Sequence, residues 1–467
     1  MKSLSKLAGS CMALFFFLSL AAKEKVDVLV TGGTVVTMDA QRRLIAEGAV
    51  AVRGESIVAV GSRAEMESKY EALKIIDASG ALVMPGLING HAHAAMSLFR
   101  GVADDLSLDD WLNKYIFPAE ARNVNEDFVA WGTRLGILEM LQGGITTYAD
   151  MYYFEDVVAR VTKEAGMRGV LGETIIDFPA PDNKTLAQAY AYTQNFLDRW
   201  KGDPLIVAGV APHSIYTCSE KTLQDSAALA RRNGAPILIH IAEAPFELEQ
   251  SRAKHGLTPV AYLERTGILG PDVVGAHCVW VDAGDIAILT HFKVGCVHNP
   301  SSNMKTAAGV MPLLEMLAAG EAIGLATDGA ASNNNQDLFE EMDLAAKLQK
   351  SARRDPRALP AQQVVEMATI TGARALHLEK QVGSLEPGKK ADLIVVDLGA
   401  AHAVPMYNVY SQIVYALKAS DVKTAVIAGR MVMQDRRLLT LNEKEIIAAA
   451  QEYKKKIEAS LAVPSAH

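Results

Sequence analysis

From about Pro85 to Leu385, short apolar runs alternate with longer amphipathic stretches, the trace that parallel βα units leave in a chain. Eight runs can be counted: VMPGLINGHAH, GITTYADM, GVLGETII, LIVAGVAPHS, APILIHIAE, VVGAHCVW, VGCVHNPSSN and AIGLATDGA. Each ends in polar residues where a helix or loop should begin. Eight such units predict a closed (β/α)8 barrel over residues 85–385, with its chemistry at the C-terminal ends of the strands. A doubly wound open sheet shares this alternation, but no GxGxxG opens a helix after the first run, which removes the usual nucleotide-cofactor form of that fold.

The flanks have a different texture. VDVLVTGGTVVTM, GAVAVRGESIVAVG and ALVMPG alternate as half-buried strands do, and the same texture returns in KKADLIVVDL and VKTAVIAGRMVM. Residues 24–84 and 386–440 are therefore expected to build one composite β-sandwich from both chain ends. A helix is expected over 442–461, with Ile446, Ala449, Ala450, Tyr453 and Ile457 at helical spacing, so that 441–467 is a C-terminal helix and tail. Residues 1–22 read as a signal peptide: Lys2 and Lys6 precede an apolar stretch from Leu7 to Ala22, with small residues Ser19 and Ala21 for cleavage. That stretch falls short of the roughly 20 residues that span a bilayer, so no stable membrane insertion is expected after cleavage. A working leader predicts a periplasmic or secreted protein; an overextended start leaves it in the cytoplasm.

Composition narrows the function. Of 467 residues, 50% are apolar and 21% charged, enough for a large buried core. The net charge of −8 leaves no basic surplus to neutralise phosphates, so nucleic acid is not expected as a partner. Cys11, Cys218, Cys278 and Cys296 show no CxxC spacing, which excludes a disulfide framework and leaves the thiols without a role. The oligomeric state is left open, a homo-oligomer included.

The candidate chemistry sits at the strand ends. His91 and His93 are two apart on the first run and emerge on one face. Alone, such a pair is weak evidence, because a buried histidine can simply bond to backbone. His240 ends the fifth run and Asp328 the eighth, on the same rim; separately they read as a core histidine and a helix cap. Together the four make a nitrogen and oxygen donor set suited to one divalent cation, most simply Zn2+. Glu243, three residues past His240, is placed for proton transfer. His277 and His213 end the sixth and fourth runs and are candidate polar groups of the same site.

GLINGHAH, HIAE with His240 and Glu243, GAHCVW with His277 and TDGAASNNNQDLFEEM with Asp328 strongly resemble the amidohydrolase superfamily. Within it, GHAHAAMSLFRGVADDLSLDDWLNKYIFPAE, NPSSNMKTAAGVMPL and TDGAASNN are similar to the methylthioadenosine/S-adenosylhomocysteine deaminases. The similarity runs from Val26 to the last β strands. It implies an α/β fold, a distorted TIM barrel beside a β-sandwich. It further implies one metal ion held by His91, His93, His240 and Asp328, with Glu243, His277 and Asp328 catalytic. Glu120, His213 and Trp111 become substrate-binding residues together with Glu243 and Asp328, and the small-molecule partner becomes a nucleoside. The implied reaction releases ammonia from the 6-amino group of 5′-methylthioadenosine, S-adenosylhomocysteine or a related adenosine. Two departures bear on this. DFPAPDNKTLAQAYAY lacks the arginine with which some relatives hold an amino-acid carboxylate, which favours shorter adenosines, and LIVAGVAPHS lacks the lysine that bridges two metals. Guanine or pterin deamination, triazine hydrolysis, cyclic-amide hydrolysis and a silent binding protein are the rival readings.

Overall fold

The structure is a computed structural model that describes residues 22–462; the expected leader lies outside the described residues. Five strands open the chain: β1 (Glu24–Val36), β2 (Leu44–Arg53), β3 (Ser56–Ser62), β4 (Tyr70–Asp77) and β5 (Ala81–Pro85). The barrel strands follow as β6 (Leu87–Ala92), β7 (Ile145–Tyr152), β8 (Arg168–Ile175), β9 (Ile206–Pro212), β10 (Ile237–Ile241), β11 (Val273–His277), β12 (Gly295–His298) and β13 (Ile323–Leu325). Four more close the chain's β content: β14 (Leu393–Asp397), β15 (Val422–Ile427), β16 (Arg430–Gln434) and β17 (Arg437–Leu438).

Strands from both ends share one nine-stranded sheet in the order β17-β16-β15-β14-β5-β1-β2-β3, with β4 also on β1. The branch lies inside β1. Residues 24–31 pair with β4, whereas Thr34 and Val35 pair with β5. Gly32 and Gly33 make the change of neighbour: Gly32 has φ +94°, and a Cβ on Gly33 would sit 2.8 Å from the Ala81 carbonyl oxygen. The sheet thereby wraps a core in which Val30, Val50, Val83, Val395 and Val426 meet.

β6 to β13 pair in chain order, and every ladder among them is parallel. Parallel strands covered by helices are buried on both faces, and each residue of β7 and β8 is buried. The barrel floor is apolar, with Ile88, Val170, Leu238 and Val297 packed on Leu376 and Leu378. The seam between β13 and β6 closes just above the strands. There the Asp328 N–H donates to the His91 carbonyl (3.0 Å) and the Thr327 N–H to Asn89 Oδ1 (3.0 Å).

Two helices set the surroundings of the site. The helix Glu126–Gln142 lies against the turn Ala94–Phe99 that follows His93, so closely that a Cβ on Gly132 would be 2.2 Å from the Ala95 carbonyl oxygen. The C-terminal helix Glu443–Leu461 begins at Asn442, whose side chain accepts the Glu445 N–H, and it buries Ile446, Tyr453 and Ile457. Barrel and sheet are joined by a buried ion pair. Arg168, at the start of β8, donates from Nε and Nη2 to both oxygens of Asp392, beside β14, at 2.8 and 3.2 Å.

Candidate functional site

His91, His93, His240 and Asp328 meet at the C-terminal mouth of the barrel. The Nε2 atoms of His91 and His93 each lie 3.4 Å from Asp328 Oδ1, and His93 Nε2 lies 3.4 Å from His240 Nε2. Backbone carbonyls fix two of the rings. His93 Nδ1–H donates to the Met151 carbonyl (2.6 Å) and His240 Nδ1–H to the His213 carbonyl (2.8 Å), which leaves both Nε2 lone pairs facing inward. His91 Nε2 is buried without a hydrogen-bond partner.

Inward-facing imidazole lone pairs beside a carboxylate repel one another unless a proton or cation lies between them. Burial holds the His91 ring below its ordinary pKa, and burial reinforced by the neighbouring imidazoles holds His240 well below. For Asp328, burial works to raise the pKa, but the closeness of His91 and the surrounding rings outweighs it and holds the group well below its ordinary value. Its carboxylate accepts from Ser302 Oγ (2.6 Å), Ser332 Oγ (3.0 Å) and the Gly329 N–H (2.7 Å), and its φ of +65° turns it inward at the end of β13. The donors of His91, His93 and His240 lie within 4.8 Å of one another, as do those of His91, His277 and Asp328. That donor set fits a single divalent ion with nitrogen and oxygen preference.

Glu243 stands on the turn after β10, with Oε2 3.5 Å from His277 Nε2. Burial, then the carboxylates of Asp328 and Glu247, push its pKa well above the usual range. Burial lowers the His277 pKa to about 4, and its Nδ1–H donates to Asn303 Oδ1 (2.9 Å). His213 lies beside His240, its ring pKa lowered to about 3 by burial and then by the neighbouring imidazoles.

These groups floor a pocket that opens at the C-terminal mouth of the barrel. One wall is apolar and comes from a single segment: Leu108, Trp111, Leu112, Ile116 and Phe117. Trp111 opens a π-helical turn over residues 111–116, an irregularity common at functional sites. Glu120 enters from the helix Phe117–Asn123, where it accepts the Tyr152 hydroxyl (2.7 Å). Burial raises its pKa to about 7 against the hydrogen bonds from Tyr152 and Tyr153.

All the residues singled out from the sequence thus converge on one cavity or its rim. Sequence reasoning overlooked Tyr152 and Tyr153 behind Glu120, Asn303 behind His277, and Ser302 and Ser332 on Asp328. The tyrosines directly follow the second apolar run, so their place at a strand end was a usable signal. The serines and the asparagine reach the site from short helical turns whose direction only the fold reveals.

Comparison with known proteins agrees with this geometry. Residues 82–432 match the Amidohydrolase family, and residues 48–70 match the imidazolonepropionase-like composite domain of bacteria. The chain is 46% identical to the 5-methylthioadenosine/S-adenosylhomocysteine deaminase 1 of Syntrophus aciditrophicus (strain SB), over 94% of this chain and 100% of that one. It is 42% identical to the 5′-deoxyadenosine deaminase of Methanosarcina mazei, over 91% of this chain and 97% of that protein. The crystal structure of an adenosine deaminase from Xanthomonas campestris with bound zinc superposes with a TM-score of 0.92 at 36% identity, covering 94% of this chain and 100% of that one. Fold, site and sequence place the chain in the amidohydrolase family, to which it belongs among the methylthioadenosine/S-adenosylhomocysteine deaminases.

Proposed function

We propose that this protein is a metal-dependent hydrolytic deaminase that releases ammonia from the 6-amino group of adenosine-type nucleosides, with 5′-methylthioadenosine and its close 5′ analogues as substrates. The observation that carries this reading is the convergence of His91, His93, His240 and Asp328 beside the buried Glu243 carboxyl at the floor of a pocket walled by Trp111 and Phe117. The orphaned, buried His91 Nε2 and the three-imidazole, one-carboxylate donor set fit one Zn2+ ion. Such an ion supplies a water acidified from a pKa near 16 to about 7.

The chain's own groups do the rest. Burial beside two other acids raises the Glu243 pKa and favours its protonated form, and that proton goes to the ring nitrogen next to the amino-bearing carbon. Protonation there lets oxygen add at that carbon without negative charge building on the ring. The attacking water gives its proton to His277 Nε2 or to the Asp328 carboxylate, and the same groups return it to the leaving amine. Asn303 keeps the proton on His277 Nδ1, so Nε2 is the face that accepts. Glu120 accepts the ribose hydroxyls, His213 contacts the nucleoside, and Trp111 with Phe117 covers its apolar faces and excludes water.

The test is ammonia release by purified, metal-quantified protein from methylthioadenosine, 5′-deoxyadenosine, S-adenosylhomocysteine, adenosine, guanine and a chlorotriazine. Adenosines should turn over, chelation should abolish the activity, and Zn2+ should restore it. Glu243→Gln should retain its metal and lose roughly 100- to 10,000-fold in kcat. Turnover of guanine or triazine alone, or activity that survives removal of the ion, would overturn the reading.

A further inference from the structure

The turn that presents Glu243 is held by a second buried glutamate. β10 stops at Ile241, and Ala242 takes φ +48°, a left-handed conformation unfavourable for alanine that needs support from its surroundings. On its carbonyl side the turn is fastened by the loop after β11, where the N–H groups of Val279 and Trp280 donate to the Ala242 oxygen at 3.1 and 2.8 Å. On its N–H side it is fastened by Glu247. That residue lies in the first turn of the helix Pro245–His255, is 1% exposed, and points back along the chain. Its Oε1 accepts the Glu243 N–H at 2.8 Å and the Ala244 N–H at 3.1 Å.

Helix capping alone does not account for this arrangement. A capping glutamate at this position needs only the N–H of the residue that begins the helix, here Ala244. The shorter bond goes instead to the N–H of Glu243, the peptide that carries the acid. A buried carboxyl is also a costly means of capping compared with an exposed serine or aspartate at the first position. Glu247 Oε2 is buried with no hydrogen-bond partner, so the group tolerates an unsatisfied oxygen in order to make these two bonds.

We propose that Glu247 is a positioning residue, which locks the Ala242–Ala244 turn so that the Glu243 carboxyl is aimed at the substrate ring; this rests on the role proposed above for Glu243. The test compares Glu247→Ala, Glu247→Gln, Glu243→Gln and the Glu243→Gln/Glu247→Ala double variant as metal-quantified proteins. Glu247→Ala should lose roughly 10- to 100-fold in kcat, the scale of a 1 Å misplacement, with KM and metal content near those of the parent. Glu247→Gln keeps an amide oxygen on the same two N–H groups and should recover most of that loss. In the Glu243→Gln background, Glu247→Ala should cost nothing further, because there is no longer an acid to aim. If the alanine variant does not fold, Glu247→Asp serves instead, since it keeps the charge but withdraws the oxygen by one methylene and should show the same loss in kcat. Losses that multiply across the double variant, or that fall on metal content or KM in place of kcat, would overturn the role of Glu247. Normal turnover by Glu243→Gln would overturn the proposed function itself, a result the other three variants do not mimic.

Discussion

Glu120 is an acid whose ionisation the fold opposes. Its pKa is raised from 4.5 to about 7 by burial, so the folded state binds its proton more tightly than the unfolded chain does. The stabilisation from that retained proton is fully present below pH 4.5 and is lost as pH rises through about 7, an amount of about 3 kcal/mol. Denaturant unfolding at a series of pH values should therefore show that Glu120→Gln flattens the fall in stability between roughly pH 4.5 and 7. An unchanged slope would mean that Glu120 does not ionise in this window. At this scale the sequence was informative for residues that end apolar runs: His91, His93, His240 and Asp328 follow strands, and strand ends share a rim. It was silent about Glu247, Asn303 and Ser302. Their contacts depend on how a loop or helix turns back toward the barrel, which no local pattern encodes.

Among the elements, the helix Glu126–Gln142 supports the site from outside. It approaches the turn after His93 at Gly132 and Gly136, where added Cβ atoms would meet the carbonyl oxygens of Ala95 and Ala94 at 2.2 and 2.9 Å. Gly132→Ala is expected to force the helix away, with a destabilisation of about 1 to 3 kcal/mol. Because the displaced turn begins at His93, the variant should also bind Zn2+ more weakly; calorimetric titration and denaturant midpoints measure the two effects. A variant that only destabilises would separate the helix from the site. The eight barrel strands were legible because strands buried on both faces read as continuous apolar runs. The branching of β1 was not, because the change from β4 to β5 occurs within one uninterrupted strand and only Gly32 and Gly33 mark it.

For the molecule as a whole, the junction between barrel and sheet turns on Arg168 and Asp392, both 2% exposed. Asp392 also accepts the Ala428 N–H (2.7 Å), and Arg168 donates to the Pro204 carbonyl (2.9 Å), so the pair draws four segments together. Asp392→Ala leaves a guanidinium buried without its counter-ion and should cost about 3 to 5 kcal/mol in unfolding free energy. A loss below about 1 kcal/mol would show that water replaces the carboxylate. That strands from both termini join in one sheet could be read from their matching texture. The ion pair that fastens that sheet to the barrel could not, since its members are 224 residues apart and neither stands in a recognisable motif.

The bond from Asp328 to the His91 carbonyl joins the first and last barrel strands through two proposed metal ligands. A substitution that opens this seam should therefore weaken cation binding as well, since the same two residues serve both.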